Sequence, residues 1–181
     1  MLFRSIPGVE LSVVDDQGVP VQPGETGEIV ARGDNLMMGY WRDPQATAGV
    51  LRTDGLHTGD LARVDEDGYI FVVGRRSDMI KSGAYRINPQ EIEDVIAELD
   101  EVAEVAVVGC PDELMGESIV AFVIVSGDLE QDFEETILQH CRRGLPRHKH
   151  VRQVEFVRAL PRTSSGKVKR QELREAFLID G

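Results

Sequence analysis

A single lysine, Lys167, stands in the run Leu160-Pro161-Arg162-Thr163-Ser164-Ser165-Gly166-Lys167-Val168-Lys169-Arg170. A segment opened by proline and rich in serine and glycine is loop chemistry. The run is therefore expected to hold no regular structure and to present its ammonium on a mobile tether. A cation placed that way suits a reaction in which negative charge must be met at one step only. A phosphate-cradling P-loop, G-x-x-x-x-G-K-[ST], is excluded twice: its first glycine position is Pro161 and its final hydroxyl position is Val168. On the residues alone, a solvated basic loop stands beside the catalytic reading. His148 and His150 have H-x-H spacing, but no third ligand accompanies them. The segment reads as the lead-in to a strand, and no metal site is expected. Cys110 and Cys141 show neither metal nor redox spacing and lie in apolar patterns, the signature of buried reduced thiols.

A chain of 181 residues suffices for one ordinary domain or two small ones, and 41% hydrophobic content supports a core. Twenty Lys and Arg against 32 Asp and Glu leave a net charge of −12. That balance argues against a nucleic-acid or anionic-membrane surface, because neutralising phosphates takes clustered Lys and Arg. The basic residues bunch in 142–152 and 158–174, which keeps one local anion site open. No run approaches the ~18 apolar residues of a membrane span, and no basic-then-apolar signal opens the sequence. A cytoplasmic setting is expected. Residues 1–5 run straight into Ile6-Pro7-Gly8 with no cap or approach, which reads as a junction scar on a chain that starts inside a domain.

The elements that must position Lys167 follow two grammars. Residues 9–74 read as strand and turn: 9–14 alternates apolar and polar, 28–32 is a short strand, and Asp15-Asp16-Gln17-Gly18 and Pro23-Gly24-Glu25-Thr26-Gly27 are turns. Strands 61–64 and 69–73 flank Asp65-Glu66-Asp67-Gly68, a hairpin signal. One short helix interrupts, with Asp43 as N-cap and Pro44 in first position. Beyond Arg75 helices enter. Asn88-Pro89-Gln90-Glu91 is a helix start with the makings of a capping box, followed by Ile92, Val95, Ile96 and Leu99 at helical spacing. Residues 105–108 and 119–125 are continuous apolar strands. Phe133, Ile137, Leu138 and Cys141 mark a second helix, 154–157 a third strand, and Leu173, Ala176 and Phe177 a last helix. The expected fold class is α+β. A strand-rich, β-barrel-like region over 1–76 precedes a compact α+β domain over 77–181, with a three-stranded sheet and flanking helices.

Four segments taken in order carry a resemblance. They are Gly39-Tyr40-Trp41 with Asp43-Pro44-Gln45-Ala46-Thr47; Thr58-Gly59-Asp60-Leu61; Gly74-Arg75 running on to Asn88-Pro89-Gln90-Glu91-Ile92-Glu93; and Ser165-Gly166-Lys167-Val168-Lys169-Arg170. Their order and spacing resemble the AMP-forming acyl-CoA synthetases of the adenylate-forming superfamily. The resemblance covers the C-terminal portion of such an enzyme. Nothing like the family's Ser/Thr/Gly-rich phosphate loop occurs here, so the 181 residues alone are expected to be inactive.

The resemblance implies ATP, a carboxylic acid and CoA as substrates, AMP and pyrophosphate as products, and Mg2+ bound through ATP by residues outside this sequence. It makes Lys167 the catalytic cation of acyl-adenylate formation and Asp60 the acceptor of the ribose hydroxyls, with Arg75 also reaching the nucleotide. Each has a plainer alternative: a self-capping turn for Asp60, a surface ion pair for Arg75. Arg86 is left between a nucleotide phosphate and the acidic Glu91–Glu93 run. Ser82, Gly83 and Ala84 resemble the CoA (pantetheine) channel loop, with Ala84 where a second glycine is usual. Ser77 falls at the hinge about which the small domain turns between half-reactions, where Asp or Lys is usual. Gly39-Tyr40-Trp41 is expected to pack. Family members are acetylated at the catalytic lysine, so a protein acetyltransferase acting on Lys167 is a further implied partner. A carrier-protein-loading adenylation domain and a non-catalytic nucleotide- or partner-binding module are the alternatives. The ending Ser165-Gly166-Lys167-Val168-Lys169-Arg170 favours CoA over the Asn-Gly-Lys-Val-Asp-Arg of carrier-loading domains.

Overall fold

Aspartate- and glycine-rich turns chop the N-terminal half into short β-branched runs, and these runs pair into one sheet. The computed structural model describes residues 2–3, 5–127 and 132–180. It divides into two compact units, Met1–Ser77 and Asp78–Gly181. In the first, β1 (Leu2–Phe3), β2 (Val9–Val14), β3 (Thr26–Gly33), β4 (Leu51–Arg52), β5 (Gly55–Val64) and β6 (Ile70–Arg75) join antiparallel in the order β1-β6-β5-β3-β2, with β4 on β5. The β5–β6 hairpin closes on Asp65, whose Oδ1 accepts from Asp67 N at 3.0 Å and Tyr69 N at 2.8 Å. Helix α1 (Pro44–Val50) starts on Asp43, whose carboxylate accepts from Ala46 N. Val13, Ile29, Ala62 and Ile70 form the core of this unit.

One expectation for this unit differs from the structure. The ladder is open, with β1 and β2 at opposite edges, so the described residues make a sheet and not a hydrogen-bonded barrel. Leu2 and Phe3, within the segment 1–5 read as a scar, pair with Phe71 and Ile70 at the sheet edge. Met1 and Arg4 lie outside the described residues.

The second unit holds β7 (Ile80–Ser82), β8 (Tyr85–Ile87), α2 (Pro89–Ile96), β9 (Val102–Asp112), β10 (Gly116–Val125), α3 (Phe133–Gly144), β11 (Gln153–Phe156) and α4 (Arg170–Asp180). Its sheet has five strands, in the order β11-β10-β7-β8 with β9 on β10, where three were expected. The extra pair is the short hairpin β7–β8, whose two buried isoleucines, Ile80 and Ile87, face each other across the ladder. Three-residue strands carry too little alternation to announce themselves.

Successive side chains of β9 and β10 point to opposite faces, and both faces are covered. Val107, Ile119, Ala121 and Val123 pack with Ile92 and Ile96 of α2 and Ile137 and Cys141 of α3. Ala106, Val108, Val120 and Phe122 pack instead with Leu173 of α4. That double cover is why these strands read as continuous apolar runs. Burial pushes the free thiols of Cys110 and Cys141 up to about 11. The histidine pair has structural work: His148 stacks on Tyr85 at 4.2 Å, and His150 Nε2 sits 3.0 Å from Leu145 O. Among the described residues no helix is long and apolar enough to cross a membrane.

Candidate nucleotide site and catalytic turn

Thr58-Gly59-Asp60 lies inside β5, which begins at Gly55 and not at the expected residue 61. On β3, Glu28 faces Leu61 and Val30 faces His57, so three residues of β5 oppose the single residue Ile29. The surplus bulges from the ladder, held by Thr58 Oγ1 on Ile29 O at 2.9 Å and by the positive φ of Gly59, 75°. Bulges re-aim side chains at sheet edges and sites. This one turns the Asp60 carboxylate toward Arg75, its cross-strand partner on β6. Arg75 Nε donates to Asp60 Oδ1 at 2.7 Å, with the two side chains 57% and 33% exposed. Asp60 and Arg75 are thus one pair at an open surface, where exposed ion pairs contribute about 0–1 kcal/mol to stability.

Behind the bulge lies a charged cluster that sequence reasoning missed. The Glu28 carboxylate is nearly fully buried. Its Oε1 accepts from Gly59 N at 3.1 Å, and its Oε2 lies 3.0 Å from both His57 Nδ1 and Arg76 NH1. His57 Nε2 is 3.1 Å from Asp54, and Arg76 NH2 reaches Asp16 at 2.5 Å. These groups line a cleft of about 360 Å³. The one sequence signal was a glutamate opening an otherwise apolar strand, 28–31.

Burial alone would push the Glu28 carboxyl up. The His57 hydrogen bond, the Gly59 N–H and the charges of His57 and Arg76 outweigh it and hold the carboxyl below its ordinary value. Asp54 is lowered chiefly by the His57 hydrogen bond, and Asp112 by the N–H groups of Met115 and Leu114. A carboxylate with a depressed folded pKa stabilises the fold above its unfolded pKa, and that contribution disappears as pH falls through the folded value. Urea midpoints are therefore expected to hold steady down to about pH 5 and to drop below about pH 4. Glu28→Gln should flatten the drop, and an unchanged slope in that variant would remove Glu28 from the acid response.

The Lys167 segment is not the unstructured tether expected from its composition. Arg162 and Val168 form an antiparallel bridge. Within it, Thr163 N donates to Lys167 O at 2.8 Å, Gly166 N to Thr163 O at 2.9 Å, and Lys167 N to Thr163 Oγ1 at 3.1 Å. Arg162 NH1 adds a bond to Gly166 O at 2.7 Å, and Gly166 supplies a φ of 84°. A closed turn results, with Lys167 exposed at its rim. None of these bonds uses the ammonium.

Ser82, Gly83 and Ala84 stand at the β7–β8 hairpin end, in a turn and not a loose loop. Gly83 takes the positive φ, 57°, and donates to Met115 O at 2.7 Å. Ala84 is outside the left-handed region, because Arg42 alone among described non-glycine residues has positive φ. A methyl is therefore tolerated where a glycine is usual. Ser77 lies in a 3-10 turn, Arg76–Asp78. Arg86 is exposed on β8. Of the acidic run considered for it, Glu91 meets Lys149 and Glu93 is gripped by Arg170. Of Gly39-Tyr40-Trp41, expected to pack, Gly39 lies tight against Thr47, where an added Cβ would stand 2.9 Å from its side chain, and Tyr40 N donates to Thr47 Oγ1 at 2.9 Å. Trp41 does not pack, being 86% exposed with the Arg42 guanidinium 5.4 Å over its ring. Among the described residues no group of three or more His, Cys, Asp or Glu is arranged to hold a metal ion.

The motif-bearing strands and turn coincide with known proteins. The family model for the AMP-binding enzyme C-terminal domain matches residues 91–167, and that for the AMP-binding enzyme itself matches 4–41. The chain belongs to this family of AMP-binding, adenylate-forming enzymes. It is 41% identical over 170 residues to the long-chain-fatty-acid–CoA ligase of Salmonella typhimurium, spanning 94% of this chain and 30% of that protein. It is 42% identical over 172 residues to the indoleacetate–CoA ligase of Aromatoleum aromaticum, spanning 95% of this chain and 34% of that one. ATP-bound MatB from Rhodopseudomonas palustris superposes with a TM-score of 0.87 at 35% identity, over 96% of this chain and 35% of that one. The chain thus spans about a third of the length of these relatives.

Proposed function

We propose that this chain is the C-terminal part of an acid–CoA ligase that activates a carboxylic acid with ATP and passes the acyl group to CoA, releasing pyrophosphate and AMP. The observation that carries the reading is the exposed Asp60–Arg75 pair, set at 2.7 Å by a bulge in β5. In this reading Asp60 accepts the ribose hydroxyls, as acidic residues do in other nucleotide sites, and Arg75 and Arg86 face the nucleotide. Lys167 meets the charge that builds between the attacking carboxylate and the α-phosphate. Mg2+ arrives with ATP and is held outside these residues. Residues 1–76 close a larger adenylation domain, and 77–181 form a mobile domain that swings about Ser77. The swing withdraws Lys167 and brings Ser82, Gly83 and Ala84 to the pantetheine arm of CoA. Glycine and small side chains at that hairpin allow a ligand to lie close to backbone.

The test is pyrophosphate release from ATP by the full-length enzyme across fatty and aryl-acetic acids, followed by mass spectrometry for acyl-CoA. ATP-dependent pyrophosphate release with CoA consumed is expected, and the 181-residue chain alone should give none above a Lys167→Ala control. Adenylate formation without CoA consumption would favour carrier-protein loading. No turnover with any acid would favour a binding module.

A further inference from the structure

Gly59 and Arg76 are each one residue from a member of the proposed nucleotide pair, and one buried carboxylate holds them both. Glu28 Oε1 accepts from Gly59 N at 3.1 Å, at the crest of the bulge that presents Asp60. Glu28 Oε2 accepts from Arg76 NH1 at 3.0 Å, on the residue after Arg75. The same Oε2 faces His57 Nδ1 at 3.0 Å, on the residue before Thr58. A bulge with two surplus residues has lost its regular ladder bonds, so its shape depends on whatever replaces them. Here the replacement is an ionised side chain, whose hydrogen bonds are shorter and stronger than neutral ones.

Position on β3 makes Glu28 suited to this. It faces Leu61 across the ladder, immediately beyond the bulge, and Gly27 lets strand β2 approach closely: a Cβ there would stand 2.4 Å from Val14 O. The Glu28 carboxylate is thereby held against the β5 bulge with little exposure, while the Asp60 and Arg75 side chains are 33% and 57% exposed. An exposed Asp–Arg salt bridge does not by itself keep one geometry. The buried contacts behind it supply the constraint.

We propose that Glu28 is a positioning residue for nucleotide recognition: it sets the Thr58-Gly59-Asp60 bulge and the Arg75-Arg76 strand end, and so the placement of the Asp60 carboxylate against the ribose. The inference rests on the reading of Asp60 given under the proposed function. It adds a residue that touches no substrate.

Calorimetric titration of the full-length enzyme with AMP and with 2′,3′-dideoxy-AMP tests it without knowledge of the acid. The ratio of the two affinities isolates the ribose hydroxyls, and a general loss of stability leaves it unmoved. Asp60→Ala is expected to abolish the preference for AMP. Glu28→Gln keeps an acceptor for Gly59 but not the charge for His57 and Arg76, and should lower the preference about tenfold. The double variant should be no worse than Asp60→Ala alone, since Glu28 acts through Asp60. Glu28→Asp, one methylene short, serves if the glutamine variant does not fold, and should lower the preference less. A full preference in the folded Glu28 variant, alongside its loss in Asp60→Ala, would overturn the inference and leave the ribose reading standing. A preference intact in Asp60→Ala would overturn the ribose reading and this inference with it.

Discussion

Lys167→Ala in the full-length enzyme is expected to slow acyl-adenylate formation by about 10²–10³-fold, some ~3–4 kcal/mol of transition-state stabilisation, while thioester formation from supplied acyl-adenylate is nearly spared. The bonds that shape its turn run through Thr163, Gly166, Arg162 and the Lys167 main chain. Alanine therefore removes the ammonium and leaves the turn. The measurement is pyrophosphate release for the first half-reaction and CoA consumption for the second. An equal fall in both would make Lys167 structural and take away the main support for a site that reassembles between steps. A protein acetyltransferase acting on this exposed lysine would have the same selective effect, because acetylation removes the same charge. Peptide mass spectrometry that found acetyl groups on Lys149 or Lys169 alone would separate that partner from the catalytic role.

Glu93→Ala should destabilise the second unit by about 3–5 kcal/mol, the usual consequence of stripping one partner from a buried ion pair. Glu93, on α2, takes Val107 N at 2.7 Å and both ends of the Arg170 guanidinium, with Arg170 NH2 at 3.1 Å from its Oε2. Arg170 also donates to Val107 O at 2.9 Å, and its Nε lies 3.6 Å from Asp78. One arginine thereby clips the start of α4, directly after the Lys167 turn, to α2 and the centre of β9. Urea unfolding followed by amide exchange at Val107 checks the size and the place of the loss. Replacing both partners with apolar residues should be milder than replacing either one, because no buried charge is stranded. A Glu93→Ala loss below about 1 kcal/mol would mean that the pair is solvated and carries no fold information.

Local chemistry is legible in the residue string itself. Asp43 before Pro44 and Asn88 before Pro89 start α1 and α2, Asp65 closes its hairpin, and the continuous apolar runs form β9 and β10, buried on both faces. These signals work because caps, turns and side-chain periodicity are settled within a few residues of chain. The order of the four motifs, including Ser165-Gly166-Lys167, is likewise a property of the string, and so points to the family. Tertiary structure decided what depends on which strands meet. The bulge that aims Asp60 at Arg75 exists only in the register of β3 against β5 and β5 against β6. The burial of Glu28 and His57 on one side of that register follows from the same pairing. Glu93 and Arg170, 77 residues apart, look like surface charges until the fold packs α4 beside β9. The β7–β8 hairpin and the closed turn around Lys167 came from bonds between residues whose types promise only loop. A side chain's type is local, whereas the partner that satisfies it, and hence its burial and charge state, is chosen by long-range pairing.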